Sequence, residues 1–187
     1  LLLNFSSSVI PIAISKLVSE QIGIGRRDEA HKIFRVAFVL LASIGLSLAA
    51  ILFLSAGTLV NALGNKGAYL SVLAVAPALF TVALSGAFRG YFQGMGTMVP
   101  TAISQVLEQI INATVNIVGA SIMIKVGMAA AKKQDNPLLE PAYGAAGGTA
   151  GTATGALVAL LFLMFVFVLF QKVMMRQMRR DRTKHQD

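Results

Sequence analysis

The sequence predicts an all-α protein, a polytopic transmembrane bundle of about five spans. Three observations point there. Hydrophobic residues make up 56% of the 187 and charged residues only 13%, with a mean hydropathy of +0.72. The apolar residues fall in runs of bilayer length, where a soluble domain would show short stripes on polar helices. The charges gather at the ends of those runs.

The first span is expected over about 1–22, with Pro11 inside it and Lys16 and Glu20 near its end. It opens "LLLNFSSSVIPIAIS", without an initiator methionine or a basic leader region, which argues against a cleaved signal peptide. The expectation is a chain that begins within a membrane helix, a fragment whose upstream sequence is missing. After "GIGRRDEAHK" the second span covers 33–63, with Asp28 as the expected N-cap and Asp28 and Glu29 suited to the positive end of the helix dipole. The third covers 67–88 and contains Pro77. The fourth, 99–126, has Pro100 in its first turn, where a missing N–H does no harm. The loop "KKQDNPLLEPAYG" reads as a polar connection, and the fifth span, 147–170, begins in the small-residue run "GAAGGTAGTATGA". Residues 1–172 thus form the transmembrane bundle, and 173–187 a basic cytoplasmic tail or inter-lobe linker.

Net charge of +8 raises the question of nucleic acid. The basic residues lie at span ends without interleaved aromatics for stacking on bases, so no nucleic-acid partner is expected. They are distributed by topology instead. Twelve of the 16 Lys and Arg fall after spans one, three and five, from Lys16 and Arg26 to Lys184. Lys66, Lys125, Lys132 and Lys133 fall on the other side. The richer side is expected to be cytoplasmic, with anionic membrane lipid as a partner of the tail. Tyr69, Tyr91 and Tyr143 fall near the expected interfaces, and His31 and His185 in basic segments, where they read as solvated. Cysteine is absent, so the redox compartment is not readable. No H-x-x-x-H, Asp-rich magnesium motif, G-x-S-x-G or P-loop occurs, so neither an enzyme nor a cofactor is predicted.

The fourth span carries the unusual chemistry. Gln105, Glu108 or Gln109, Asn112 and Asn116 recur every three or four residues, along one helix face that Thr101 and Ser104 extend. Ile103, Val106, Ile110 and Ile117 occupy the opposite face. Such a stripe belongs against a water-filled cavity or a bundle interior. The amides can be interhelical glue or part of a pathway. Glu108 needs water, a cation or a proton. It either serves a transport pathway or forms a structural ion pair, with Arg89 the first candidate partner and Lys16 the weaker one. Gly86, Gly90, Gly94 and Gly96, at the end of span three, favour close helix packing, with a flexible gate as the alternative.

"IPIAISKLVSEQIGIGRRDEAHKIFR" and "FRGYFQGMGTMVPTAISQVLEQI" resemble the polysaccharide-biosynthesis exporters related to stage V sporulation protein B. That group includes peptidoglycan lipid II flippases and lies in the multidrug/oligosaccharidyl-lipid/polysaccharide exporter superfamily. The resemblance covers essentially the whole chain, with Arg89 to Gln109 its most specific part. It implies an N-terminal-lobe fragment of a two-lobe, alternating-access transporter of the bacterial cytoplasmic membrane, the five spans being the second to sixth helices of the first lobe. Its implied partners are a lipid-linked glycan, the membrane lipids and the remaining lobe of the same polypeptide. Cations in a central cavity would hold the substrate's pyrophosphate. The matching motif residues are Arg89, Gln93, Gln105, Glu108 and Gln109. Asn112 departs from relatives that carry a basic residue there. A coupling ion, proton or sodium, is left open by the resemblance. A cation-coupled drug exporter using Glu108 and a non-transporting envelope scaffold are the competing readings.

Overall fold

The computed structural model describes the backbone of residues 2–62, 64, 68–134 and 139–184, and the side chains of 11–62, 64, 68–130 and 142–172. The described residues form five helices: α1 (Leu2–Gly23), α2 (Arg27–Ala62), α3 (Tyr69–Gly94), α4 (Val99–Gln134) and α5 (Leu139–Lys184). Four stretches among the described residues are long and apolar enough to cross a membrane: Arg27–Ala62, Tyr69–Gly94, Val99–Ala130 and Ala142–Lys172. The architecture is the expected all-α one, and the chain is a multi-pass membrane protein.

Helix ends depart from the expected spans because hydropathy marks the apolar part of a helix, whereas the backbone ladder continues into polar sequence. The second helix starts at Arg27, so Asp28 lies in its first turn and does not cap it. The fourth runs on to Gln134, and the fifth starts at Leu139 within the expected connection and continues to Lys184. The side chains of Lys66, Lys132, Lys133 and the tail beyond Lys172, with His185, lie outside the described residues.

Two tight turns place the helices. Gly25 at φ 79° and Gly96 at φ 78° adopt the left-handed conformation that closes a helix C-terminus. At the second turn Thr97 N–H donates to Phe92 O and Gly96 N–H to Gln93 O, both at 3.0 Å. Pro100 then lies where a helix start tolerates it. Pro11 and Pro77 remain inside their helices.

Helix α3 is the hub, packed against all four others. Its glycine ridge takes α1: a Cβ on Gly90 would meet Ile14 Cβ at 2.7 Å, and one on Gly94 would meet Val18 Cβ at 2.6 Å. The glycines therefore serve close packing here. Gly45 of α2 admits Ala83 of α3 in the same way, at 2.9 Å. At the end of the bundle holding both tight turns, Phe34, Phe88, Tyr91, Phe92 and Phe167 form an aromatic core. Tyr91 is buried in it at 1% exposure and is no interfacial anchor. Its ring instead provides apolar contact while its hydroxyl finds a partner. The outward faces carry exposed Val36, Val39, Leu40, Ile44 and Ile51 on α2 and Ile103, Val106, Ile110 and Ile117 on α4. Such faces suit acyl chains.

Candidate functional site

Because the α3–α4 turn is short, the last turns of α3 face the first turns of α4. Arg89 lies five residues before the end of α3, and Ser104 five after the start of α4. At a rise of about 1.5 Å per residue both sit roughly 7.5 Å from the turn. The Arg89 side chain crosses this seam: its Nε–H donates to Ser104 Oγ at 3.3 Å and its Nη2–H to Glu108 Oε2 at 2.5 Å. Ser104 Oγ–H in turn donates to Thr101 O at 2.7 Å.

The ion pair is sequestered, with side-chain exposures of 7% for Arg89 and 19% for Glu108. Pairing removes the net charge that would make either group expensive in a bilayer, and the guanidinium spreads its remaining donors into polar contacts. Of the two expected partners for Glu108, the structure takes Arg89. Lys16 is exposed on α1 and makes no ion pair with Glu108. Gln93, one turn beyond Arg89, is half-buried. Ser85, one turn before it on the same face, and Thr101 bury hydroxyls with no hydrogen-bond partner among the described residues.

The amide stripe divides. Asn112 and Asn116 turn toward α5: Asn116 Nδ2–H donates to Asn112 Oδ1 at 2.6 Å, and Gly151 N–H donates to Asn116 Oδ1 at 3.1 Å. Gln105 and Gln109 are exposed at the edge of this packed strip. Of the expected face of Gln105, Glu108 or Gln109, Asn112 and Asn116, the structure keeps Glu108, Asn112 and Asn116 in the packed strip and leaves Gln105 outside it, because only every fourth residue of α4 stays in the seam. Opposite the stripe, α5 presents glycines. A Cβ on Gly151 would meet Asn112 O at 2.5 Å, and one on Gly155 would meet Glu108 O at 2.7 Å. Gly119 of α4 and Gly147 of α5 bring the two backbones into contact farther along. Sequence reading passed over this ridge. Its signal was available in the spacing of Gly144, Gly147, Gly151 and Gly155, the small-residue pattern of close helix packing.

The other correction concerns His31. It is half-buried between α2, α3 and α5, not solvated. Its Nδ1 meets Tyr91 Oη at 2.9 Å, its Nε2 meets Gln171 Nε2 at 2.6 Å, and its ring stacks on Phe167 at 6.0 Å and 10°. Among the described residues no group of three or more His, Asp or Glu side chains converges as a metal ion would require.

A family model, MatE, matches residues 3–130, from α1 through most of α4. Among curated proteins, the chain is 31% identical over 120 residues to stage V sporulation protein B of Bacillus subtilis (strain 168), covering 64% of this chain and 23% of that protein. It is 31% identical over 135 residues to lipid II flippase MurJ of the same strain, covering 67% of this chain and 25% of that protein. It is 29% identical over 110 residues to the uncharacterized membrane protein YabM, again of that strain, covering 59% and 20%. The aligned part of the chain thus spans about a fifth to a quarter of the length of these relatives. No solved structure matches.

Proposed function

The chain belongs to the MatE family, and from that premise we propose that it forms part of a flippase moving a lipid-linked oligosaccharide or peptidoglycan precursor across the bacterial cytoplasmic membrane. One observation carries the reading: a buried cation–carboxylate pair, Arg89–Glu108, joins two membrane helices in a chain similar to a lipid II flippase. A purely lipid-packed helix has no use for such a pair, since apolar side chains of similar volume hold helices together as well or better.

In this reading the pair belongs to the pathway. Alternating access moves one lobe against the other around the substrate, and local contacts within a lobe can open as it does so. Helix α3 meets α4 chiefly near their shared turn, whereas α4 lies along α5 for much of its length. The ion pair is therefore the main side-chain tie across a seam with little other helix contact. When it opens, Arg89 becomes available to an anionic phosphate and Glu108 to a proton or sodium ion, and closing re-forms the neutral pair. Exposed Gln105 and Gln109, with half-buried Gln93, supply uncharged hydrogen-bonding groups beside it. Asn112 and Asn116 hold α4 on α5 while this happens. The side rich in Lys and Arg faces the cytoplasm.

The test uses the full-length protein in cells depleted of their own lipid II flippase. Lipid II at the outer membrane face is followed with an impermeant probe. Restored accessibility supports the reading. No restoration, with insertion confirmed, removes lipid II as the substrate.

A further inference from the structure

We propose that the surface where α2 and α5 meet through the His31–Gln171 contact binds the phosphate of an anionic membrane phospholipid. This site is separate from the Arg89 seam, and it does not rest on the transport reading.

Among the described residues α2 and α5 do not approach backbone to backbone. Side chains span the gap: Phe34 on Phe167 at 4.8 Å between ring centroids, and His31 on Gln171 at 2.6 Å. These contacts fill the gap, Phe34 being buried, and the half-buried imidazole–amide pair lies toward the polar end. That end carries the two tight turns, where the apolar part of the bundle gives way to charge.

Basic residues neighbour this pair along both helices. Arg35 lies one turn beyond His31 on α2, and Lys172 follows Gln171 on α5; both are exposed. Arg27 lies one turn before His31. The carboxylates nearby do not offset them. Glu29 pairs with Lys32 at 2.8 Å, so by count of charges Asp28 stands alone against Arg27, Arg35 and Lys172. Arg35 is the most telling member. It lies beside exposed Val36 and Val39, already within the apolar stretch, so its guanidinium must reach back toward the interface. At that depth the abundant anion is the lipid phosphate, which a planar guanidinium grips with two parallel N–H donors. Lys172 adds a point charge from the facing helix, His31 and Gln171 sit between them, and the exposed Val39 and Val168 flanks suit an acyl chain. Basic pockets between membrane helices at this level are suited to such headgroups.

The experiment places the full-length protein in phosphatidylcholine nanodiscs with a Val39→Trp reporter, its signal corrected for protein without that substitution. Brominated phosphatidylglycerol is compared with brominated phosphatidylcholine as quencher. The expected result is preferential quenching by phosphatidylglycerol, falling about fivefold for each basic side chain removed in Arg35→Gln and Lys172→Gln. Arg35→Lys retains part of the preference, and the remote Lys125→Gln retains all of it. Should the double variant fail to fold, loss of the preference at high salt in the Val39→Trp protein with Arg35 and Lys172 intact shows that it is carried by charge. Equal quenching by the two lipids overturns the proposal, as does a preference that survives both substitutions. Full competition by inorganic phosphate also overturns it, because the ligand would then be a soluble anion.

Discussion

Arg89 and Glu108 hold one another in place, and neither is tolerable alone. Breaking a buried pair by removing one partner leaves a charge without compensation, at a cost of about 3–5 kcal/mol. Glu108 keeps 19% of its side chain exposed, so the lower end of that range applies. Arg89→Gln is therefore expected to destabilise the folded bundle by about 3 kcal/mol in detergent unfolding, whereas Arg89→Met combined with Glu108→Leu recovers most of the loss. A double variant no more stable than the single one would show that the pair is not the source of the effect. This partnership was legible in sequence, because a carboxylate in an apolar helix demands a cation and few lie within reach. His31 was not legible. Its partner Gln171 is 140 residues away, and only the packing of α5 against α2 and α3 brings the two together.

At the scale of elements, two glycine ridges decide which helices pack backbone to backbone. Gly90 and Gly94 seat α1 on α3, and Gly147, Gly151 and Gly155 seat α4 on α5. The second contact combines a lack of side chain on α5 with amides on α4, so Asn116 accepts a hydrogen bond from the Gly151 backbone. Gly151→Ala is expected to lose about 1–3 kcal/mol by overpacking. Asn116→Ala relieves part of that clash, so the paired variant should fall short of the summed single losses by about 1 kcal/mol. Strict additivity in thermal unfolding would mean that the two residues do not meet. The existence of these helices was legible from apolar runs. Their ends were not, since α4 and α5 extend into polar sequence that hydropathy assigns to a loop. The partner of the amide stripe was hidden too: periodicity identifies a face but not the helix that covers it.

For the molecule as a whole, the sequence carried the all-α membrane architecture and the Arg89–Gln109 motif, and the match to MatE over 3–130 fixed the family. What sequence periodicity blurred was the division of labour along α4. The structure separates Asn112 and Asn116, which hold α4 on α5, from Glu108, which reaches across to α3. The central claim is that this crossing contact serves movement of a lipid-linked precursor as well as stability. Glu108→Gln tests it most directly, because the amide keeps the size and a hydrogen bond to Arg89 while losing the charge. Transbilayer flux of the precursor would be measured in full-length protein, with membrane insertion, level and the folded fraction matched to the unaltered chain, so that loss of the charge pair's stability is not read as loss of flux. The account predicts a loss of about tenfold or more, equivalent to roughly 1.4 kcal/mol or more in the rate-limiting step. Unaltered flux in that variant would contradict it.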